Sequence, residues 1–472
     1  MISQVVANDL CIGCGMCAGV LPNVLRMRTD EYGAYQPELM GPEPEGWGRL
    51  SLDVCPFGDH LENEDTIATG LFRAIEGIKH QPEAGFYLKC FVGYVNSEEA
   101  RMAATSGGII TWLAGELLSK RLVDAVACVG PAEDSTSLFE FQLITEQASL
   151  TGCRKSRYYP VEVSNVIKQI KDMTGKVAFV GLPCYLKALH LAMNVDVELR
   201  ECIGYMIGLV CGHLKTKKYA AYLARHCGVS ESQIQTVDFR RKVPGRPANK
   251  YAFSVSLQDG SVRTILMREV WGNSWSNNLF MHGACDCCDD VIAETADVVI
   301  GDAWLPEYIR DYRGTSIVVC RNPRILELLD RGILNSHILL KEITIQKVIQ
   351  SQAGAIRQRR EGLRYRLYLQ DKRKEWHPCK RVTPSPKAGS CLFRYVQRLR
   401  IRLRNLSKQT YLLQEQQDGL NLFKRRLRPW IFMNTLINML RHAPNALKKR
   451  IIFAGQIIRE PMSNSNKQER SQ

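Results

Sequence analysis

The chain has 472 residues, 45% hydrophobic and 24% charged, proportions that exclude collagen, wholesale disorder and a polytopic membrane protein. Its net charge of +15 is unevenly spread: residues 351–472 hold 28 Lys+Arg against 7 Asp+Glu, which leaves the first 350 residues at −6. Seventeen cysteines are too sparse for a small disulfide scaffold, and no apolar run reaches the roughly 18 residues of a membrane span.

The start, MISQVVANDL, has no basic stretch leading into a long apolar one, so a cytoplasmic chain is expected. Cysteines grouped in a reducing compartment point to metal or redox chemistry. The first group is Cys11-Ile-Gly-Cys14-Gly-Met-Cys17. Three thiols at this spacing wrap a tight loop around a compact object, and Gly13 and Gly15 permit the turns. Iron–sulfur cubanes use four thiolates in such runs, whereas structural zinc usually takes separate pairs. Bacterial ferredoxins continue with a fourth Cys before Pro, and here the corresponding pair is Leu21-Pro22. That Cys serves the other cluster of a two-cluster ferredoxin, so a single cluster is expected. Its fourth ligand is assigned to Cys55, which precedes Pro56, with Cys90 as a competitor. Residues 1–75 therefore read as a ferredoxin-like 4Fe–4S module, with Tyr32–Pro37 as a hairpin-like insert.

Residues 85–345 read as an α/β core. Thr105-Ser106-Gly107-Gly108 leads into an apolar helix over 109–120, with Ser106 as its expected N-cap. Strands are expected over 122–129, 176–180, 203–210, 298–300 and 316–319, with helices over 185–193 and 324–330. Cys184 and Cys211 each follow an expected strand, and Cys285-Asp-Cys287-Cys288 lies farther on. The residues suggest a second cluster on Cys184, Cys211, Cys285 and Cys288, with Cys287 competing for a position. The alternative is that Cys184 and Cys211 are buried packing thiols.

At these residues the chain resembles the beta subunits of coenzyme F-420 (deazaflavin) hydrogenases and dehydrogenases, including members from bacterial surface-polysaccharide biosynthesis. The resemblance rests on Ser106-Gly107-Gly108, Gly181-Leu182-Pro183-Cys184, Cys211-Gly212-His213 and the run Cys285–Trp304. It spans roughly residues 1–345. It implies a ferredoxin-type module, a core 4Fe–4S cluster and non-covalent FAD, so two clusters and one flavin in all. Leu182, Tyr185 and the order Gly212-His213 depart from the usual family pattern, which puts the substrate and use of the deazaflavin coenzyme in doubt.

A flavin diphosphate needs donors, and a helix N-terminus with small residues supplies them. Ser106, Gly107 and Gly108, with Thr111 one turn on, fit that role. Lys155, Ser156 and Arg157 form a basic run, and Tyr158 is placed to pack on a ring. No G-x-G-x-x-G fingerprint is evident, so a nicotinamide site is not expected. His213 and Asp302 are the candidate proton donors. Phe239-Arg240-Arg241-Lys242 either lines an anionic face or is a solvated hairpin. Cys90, Cys128, Cys153, Cys202, Cys227, Cys320, Cys379 and Cys391 read as packing or incidental thiols.

Residues 350–472 read as a basic helical tail, with a linker at Pro378, Pro384 and Pro386 and a Trp430 boundary. Such helices suit either the anionic inner face of the membrane or an acidic partner protein. No nucleic-acid motif is present, and the last ten residues read as disordered. The expected function is an iron–sulfur flavoprotein oxidoreductase. It relays electrons between a ferredoxin-like partner and a small-molecule substrate through two 4Fe–4S clusters and FAD, with a role in surface polysaccharide biosynthesis. The alternative is an electron-transfer subunit of a larger complex with no substrate pocket of its own. A scaffold that has lost redox function is disfavoured by the intact cysteine sets.

Overall fold

The computed structural model describes residues 2–59, 62–134, 137–415 and 420–442. At its centre is an eight-stranded mixed sheet. In order across it run Ile338–Ile343, Lys89–Val95, Ser316–Cys320, Val298–Asp302, Ile203–Leu209, Val177–Gly181, Ala125–Pro131 and Phe139–Ile144. The four strands from Val298–Asp302 to Ala125–Pro131 are mutually parallel. Antiparallel strands flank them on both sides. The parallel strands are apolar runs such as Val-Ala-Phe-Val-Gly, buried at every position, as strands covered on both faces must be.

The expected strands and helices all form, with ends shifted by a few residues. The helix after Ser106-Gly107-Gly108 spans Ile109–Ser119, and the one containing Cys184 spans Pro183–Val195, with Pro183 in its first turn. The parallel strands end at the edge where Cys184, Cys211 and Asp302 emerge, the edge at which open α/β sheets place their ligands. A separate three-stranded antiparallel sheet, Ile234–Arg241, Ala252–Leu257 and Val262–Leu266, stands beside it.

The N-terminal residues form short helices, Ile2–Ala7 and Met16–Val20, followed by a hairpin, Leu25–Thr29 with Tyr35–Leu39. The hairpin is the insert expected around Tyr32–Pro37. One continuous hydrophobic core takes in Ile2, Met16, Phe179, Phe280, Leu363, Leu403 and Leu427, so all three expected domains share it.

The C-terminal segment differs most from expectation. A helical rod runs from Ile345 to Arg373 with a π-helical turn at Gln358–Gly362. Helices Cys391–Glu415 and Asn421–His442 follow. Some of the basic charge of this segment, including the stretch between the helices, points inward. Arg381 meets Glu294 at 2.6 Å, Lys380 meets Asp289 at 2.9 Å and Arg404 meets Asp286 at 2.9 Å. The expected linker around Pro378 therefore carries buried ion pairs, and part of the tail's charge is met by carboxylates of the chain's own body. No helix among the described residues is long and apolar enough to cross a membrane. Residues 443–472, with their expected disordered end, lie outside the described residues.

Candidate functional site

The loop Cys11–Cys17 turns tightly enough to aim three thiols inward because Gly13 and Gly15 adopt φ of 71° and 80°. A side chain on Gly13 would lie 2.7 Å from the Tyr35 carbonyl oxygen, so the hairpin closes over this loop. Cys55 joins the group from beyond the helix Trp47–Asp53. Burial first, and then the neighbouring Cys14, Cys11 and Cys55, pushes the Cys17 thiol well up. Burial and then Cys55 push Cys14 up to about 12, and burial takes Cys55 up to about 11. Cys90 lies elsewhere, in the central sheet opposite Val319 and Ile343, so it is not brought to this group.

The second group forms at the sheet edge. Cys184 sits in the first turn of its helix, Cys211 just past its strand, and Cys285 in a 3₁₀ turn over Gly283–Asp286. With Cys288 they line one small cavity. Burial, then Cys288, Cys211 and Cys285, pushes the Cys184 thiol well up. Cys287 points away, its Sγ 3.4 Å from the Gln370 amide oxygen.

Buried thiols crowded together resist ionisation, and a bound cation reverses that balance. Both quartets are thiol-only sets, the donors that iron–sulfur clusters use, so the residues fit that group. No group of three or more His, Cys, Asp or Glu side chains among the described residues is gathered as for a single metal ion. A cubane carries its thiolates on the outside of a four-iron cage, which sets them wider apart than one ion does. The quartets are also neighbours. Ile12 and Phe57, from the N-terminal segment, line the cavity of the second quartet, and Cys14 is among the groups acting on Cys184.

A second cavity, of about 1040 Å³, opens on the far side of Cys211. Leu182, Cys211, Leu214 and Arg359 line both cavities. Ser106, Gly108 and Thr111 line the large one at the start of their helix. Lys155, Ser156, Arg157 and Tyr158 line it as well, as do His213 and Asp302. Its size and its mix of apolar wall and convergent polar groups suit a dinucleotide-sized ligand.

Several roles expected here change. The helix cap is Gly108 at φ 83°, without a side-chain cap bond, while the Ser106 hydroxyl donates to the Thr315 carbonyl at 2.8 Å. Gly107 does not line the cavity, and its N–H donates to Ser316 Oγ at 3.0 Å. The Ser-Gly-Gly turn is thus tied to the neighbouring strand, which leaves Gly108 and the first helical turn at the cavity wall. Lys155, at φ 82°, pairs with Asp238 at 3.2 Å, and the Ser156 N–H donates to Thr105 Oγ1 at 2.7 Å. The Arg157 guanidinium lies 4.4 Å from the Phe139 ring centroid.

Asp302 accepts from both Arg240 Nη atoms, at 2.5 and 3.1 Å. A carboxylate held in this fork is an orienting ion pair. Burial and nearby Lys215, Arg359 and Arg400 hold the His213 ring well below its usual range, so it stands neutral against Trp275, with ring centroids 4.3 Å apart. The basic hairpin is no solvated strip. Phe239 and Arg240 are buried, and Lys242 donates to the carbonyls of Ser106, Arg101 and Arg313. Trp275, Tyr251 and Trp304 complete the aromatic lining, together with Cys128 and Cys153, which face the cavity rather than merely filling the core. Their sequence surroundings carry no signal for that role.

Residues 90–168 match the family described as "Coenzyme F420 hydrogenase/dehydrogenase, beta subunit N-term", and residues 174–346 match its C-terminal counterpart. Together these matches span more than half of the chain. The chain belongs to this family. It is 22% identical to one of the subunits of the F(420)H(2) dehydrogenase of Methanosarcina mazei, over 66% of this chain and 81% of that protein. It is also 22% identical to the coenzyme F420-dependent sulfite reductase of Methanocaldococcus jannaschii, over 72% of this chain and 49% of that protein. A chain of the F420-reducing [NiFe] hydrogenase complex from Methanosarcina barkeri aligns at 18% identity. It covers 60% of this chain and 92% of its own length, with a TM-score of 0.46. The family is one of redox-enzyme subunits, and the segment after residue 346 lies beyond the matched region.

Proposed function

We propose that the chain is an iron–sulfur flavoprotein oxidoreductase. Cys11, Cys14, Cys17 and Cys55 would hold one 4Fe–4S cluster, and Cys184, Cys211, Cys285 and Cys288 a second. FAD would occupy the large cavity. When bound, the clusters supply single-electron transfer and the flavin links it to two-electron chemistry.

The reading is carried by the walls these sites share. Ile12 and Phe57 of the N-terminal segment line the cavity of the second quartet, and Cys211 lines both that cavity and the large one. This chain's residues have four tasks. The helix start at Gly108 and the Lys155-Ser156 loop receive the flavin diphosphate. Tyr158, Trp275 and Trp304 wall its ring and exclude water. The Arg240–Asp302 pair fixes the floor at the end of the parallel strands. Burial of both quartets keeps solvent from the electron path.

A ferredoxin-like protein is the proposed electron partner and a small molecule the substrate, in surface polysaccharide biosynthesis. The lining of the cavity, which runs on from the Gly108 and Lys155 end assigned to the flavin to Arg400 and Arg441, favours a chain with its own substrate over a purely relaying subunit. The test is turnover by the isolated, anaerobically purified chain with reduced ferredoxin. Substrate-dependent oxidation supports the reading, and activity only in the presence of other subunits assigns the relay role.

A further inference from the structure

One arm of the large cavity is built by the C-terminal helices, outside the family-matched region. Arg357, Arg359, Arg366, Arg400 and Arg441 all line it. Arg359 is placed by the π-helical turn at Gln358–Gly362, a distortion frequent at functional sites.

Carboxylates compensate these guanidiniums only in part; Arg359 also faces the thiols of Cys288, Cys285 and Cys211, and Arg366 bonds the Asp286 and Gln358 carbonyls and the Gln397 amide oxygen. Arg357 pairs with Glu361 at 2.6 Å. The carboxylate nearest Arg366 is Asp286 at 3.6 Å, and Asp286 is already held by Arg404 at 2.9 Å. Arg359 gives its Nη atoms to the carbonyls of Cys285 and Gly212, and its Nε has no partner. Arg441 donates to the neutral Asn438 amide oxygen at 2.9 Å. Arg400 makes no hydrogen bond or ion pair among the described residues. Burial first, then repulsion from Arg366, brings Arg400 down to about 9, with Asp286 opposing the fall and Arg359 and Arg441 adding to it.

Cations crowded on one wall, of which Arg359 and Arg366 are buried, are costly unless an anion meets them. Planar guanidiniums match phosphate oxygens bidentately. A monocarboxylate would neutralise one charge and leave the excess, whereas a phosphate or diphosphate brings two or more.

We propose that this arm binds the phosphate or diphosphate group of the substrate, so that the chain acts on a phosphate-bearing small molecule held beside the flavin. The inference rests on the flavin reading only in its last clause, since the flavin's own diphosphate is assigned to the Gly108 and Lys155 end.

The test titrates inorganic phosphate, inorganic pyrophosphate and malonate into the anaerobically purified full chain by calorimetry, alongside Arg400→Gln and Arg441→Gln. The expected result is saturable binding of phosphate or pyrophosphate, each variant weakening it by about tenfold or more with flavin content unchanged. Tighter pyrophosphate binding identifies a diphosphate, and tighter phosphate binding a monoester. Malonate binding as tightly as either overturns the class, and absence of saturable binding overturns the site. Loss of flavin from Arg400→Gln with normal melting assigns the arm to the flavin and overturns the proposal. A flavin-free chain that still binds pyrophosphate through Arg400 keeps the anion site and removes the flavin reading.

Discussion

Replacing Arg381 with Met tests whether the basic segment is part of the fold. The Arg381 side chain is 4% exposed, and it meets Glu294 at 2.6 Å and Asp65 at 2.6 Å. Glu294 is itself 3% exposed, so removing the guanidinium strips a partner from a carboxylate that water cannot reach. Breaking such a buried pair costs about 3–5 kcal/mol. Glu294 keeps Arg360 at 2.8 Å and Asp289 keeps Lys380 at 2.9 Å, which places the loss near the lower end. At roughly 2–4 °C per kcal/mol for a large domain, a loss of about 3 kcal/mol lowers the melting temperature by roughly 6–12 °C. The assay is thermal unfolding of the anaerobically purified protein followed by circular dichroism. An unchanged melting temperature would mean that residues 374–390 do not clamp the body.

Cys288→Ser should lower iron by about one cluster per chain, whereas Cys287→Ser should leave iron unchanged; equal losses would refute the division between the two thiols. Asp302→Asn should weaken flavin retention without altering the shape of the pH–rate profile, and loss of one limb of that profile would restore Asp302 as the proton donor. His190 is buried with Nε2 2.9 Å from the Thr295 carbonyl, and burial brings it from 6.5 down to about 4. The unfolded chain then binds the extra proton first, so stability falls as pH drops from about 6.5 to about 4. His190→Gln should flatten part of that slope in acid-dependent denaturant midpoints, and an unaltered slope would contradict this.

The sequence carried the parallel strands and the helices that follow them, because runs such as 177–181 are apolar at every position. The cysteine spacing at Cys11–Cys17 is legible as a tight thiol loop, which forms on the left-handed Gly13 and Gly15. Cys55 was separable from Cys90 only in three dimensions, where Cys90 pairs inside the sheet. Ser106 looked like a cap because its type and place fit; its hydroxyl instead bonds Thr315, more than 200 residues away. The fork between Asp302 and Arg240 is likewise not readable from the sequence, with Arg240 distant from it. The helices of the tail are legible, but charge composition does not say which of its arginines turn toward the body. Their partners Asp286, Asp289 and Glu294 lie roughly 70–120 residues upstream, beyond any local pattern.

Iron, sulfide and flavin stoichiometry on the anaerobically purified chain, with electron paramagnetic resonance of the reduced form, tests the central claim most directly. Two 4Fe–4S signals that interact magnetically, together with one FAD per chain, are predicted from the adjoining quartets and the cavity beyond Cys211. A single cluster, zinc in place of iron, or a chain that takes up no flavin would contradict it.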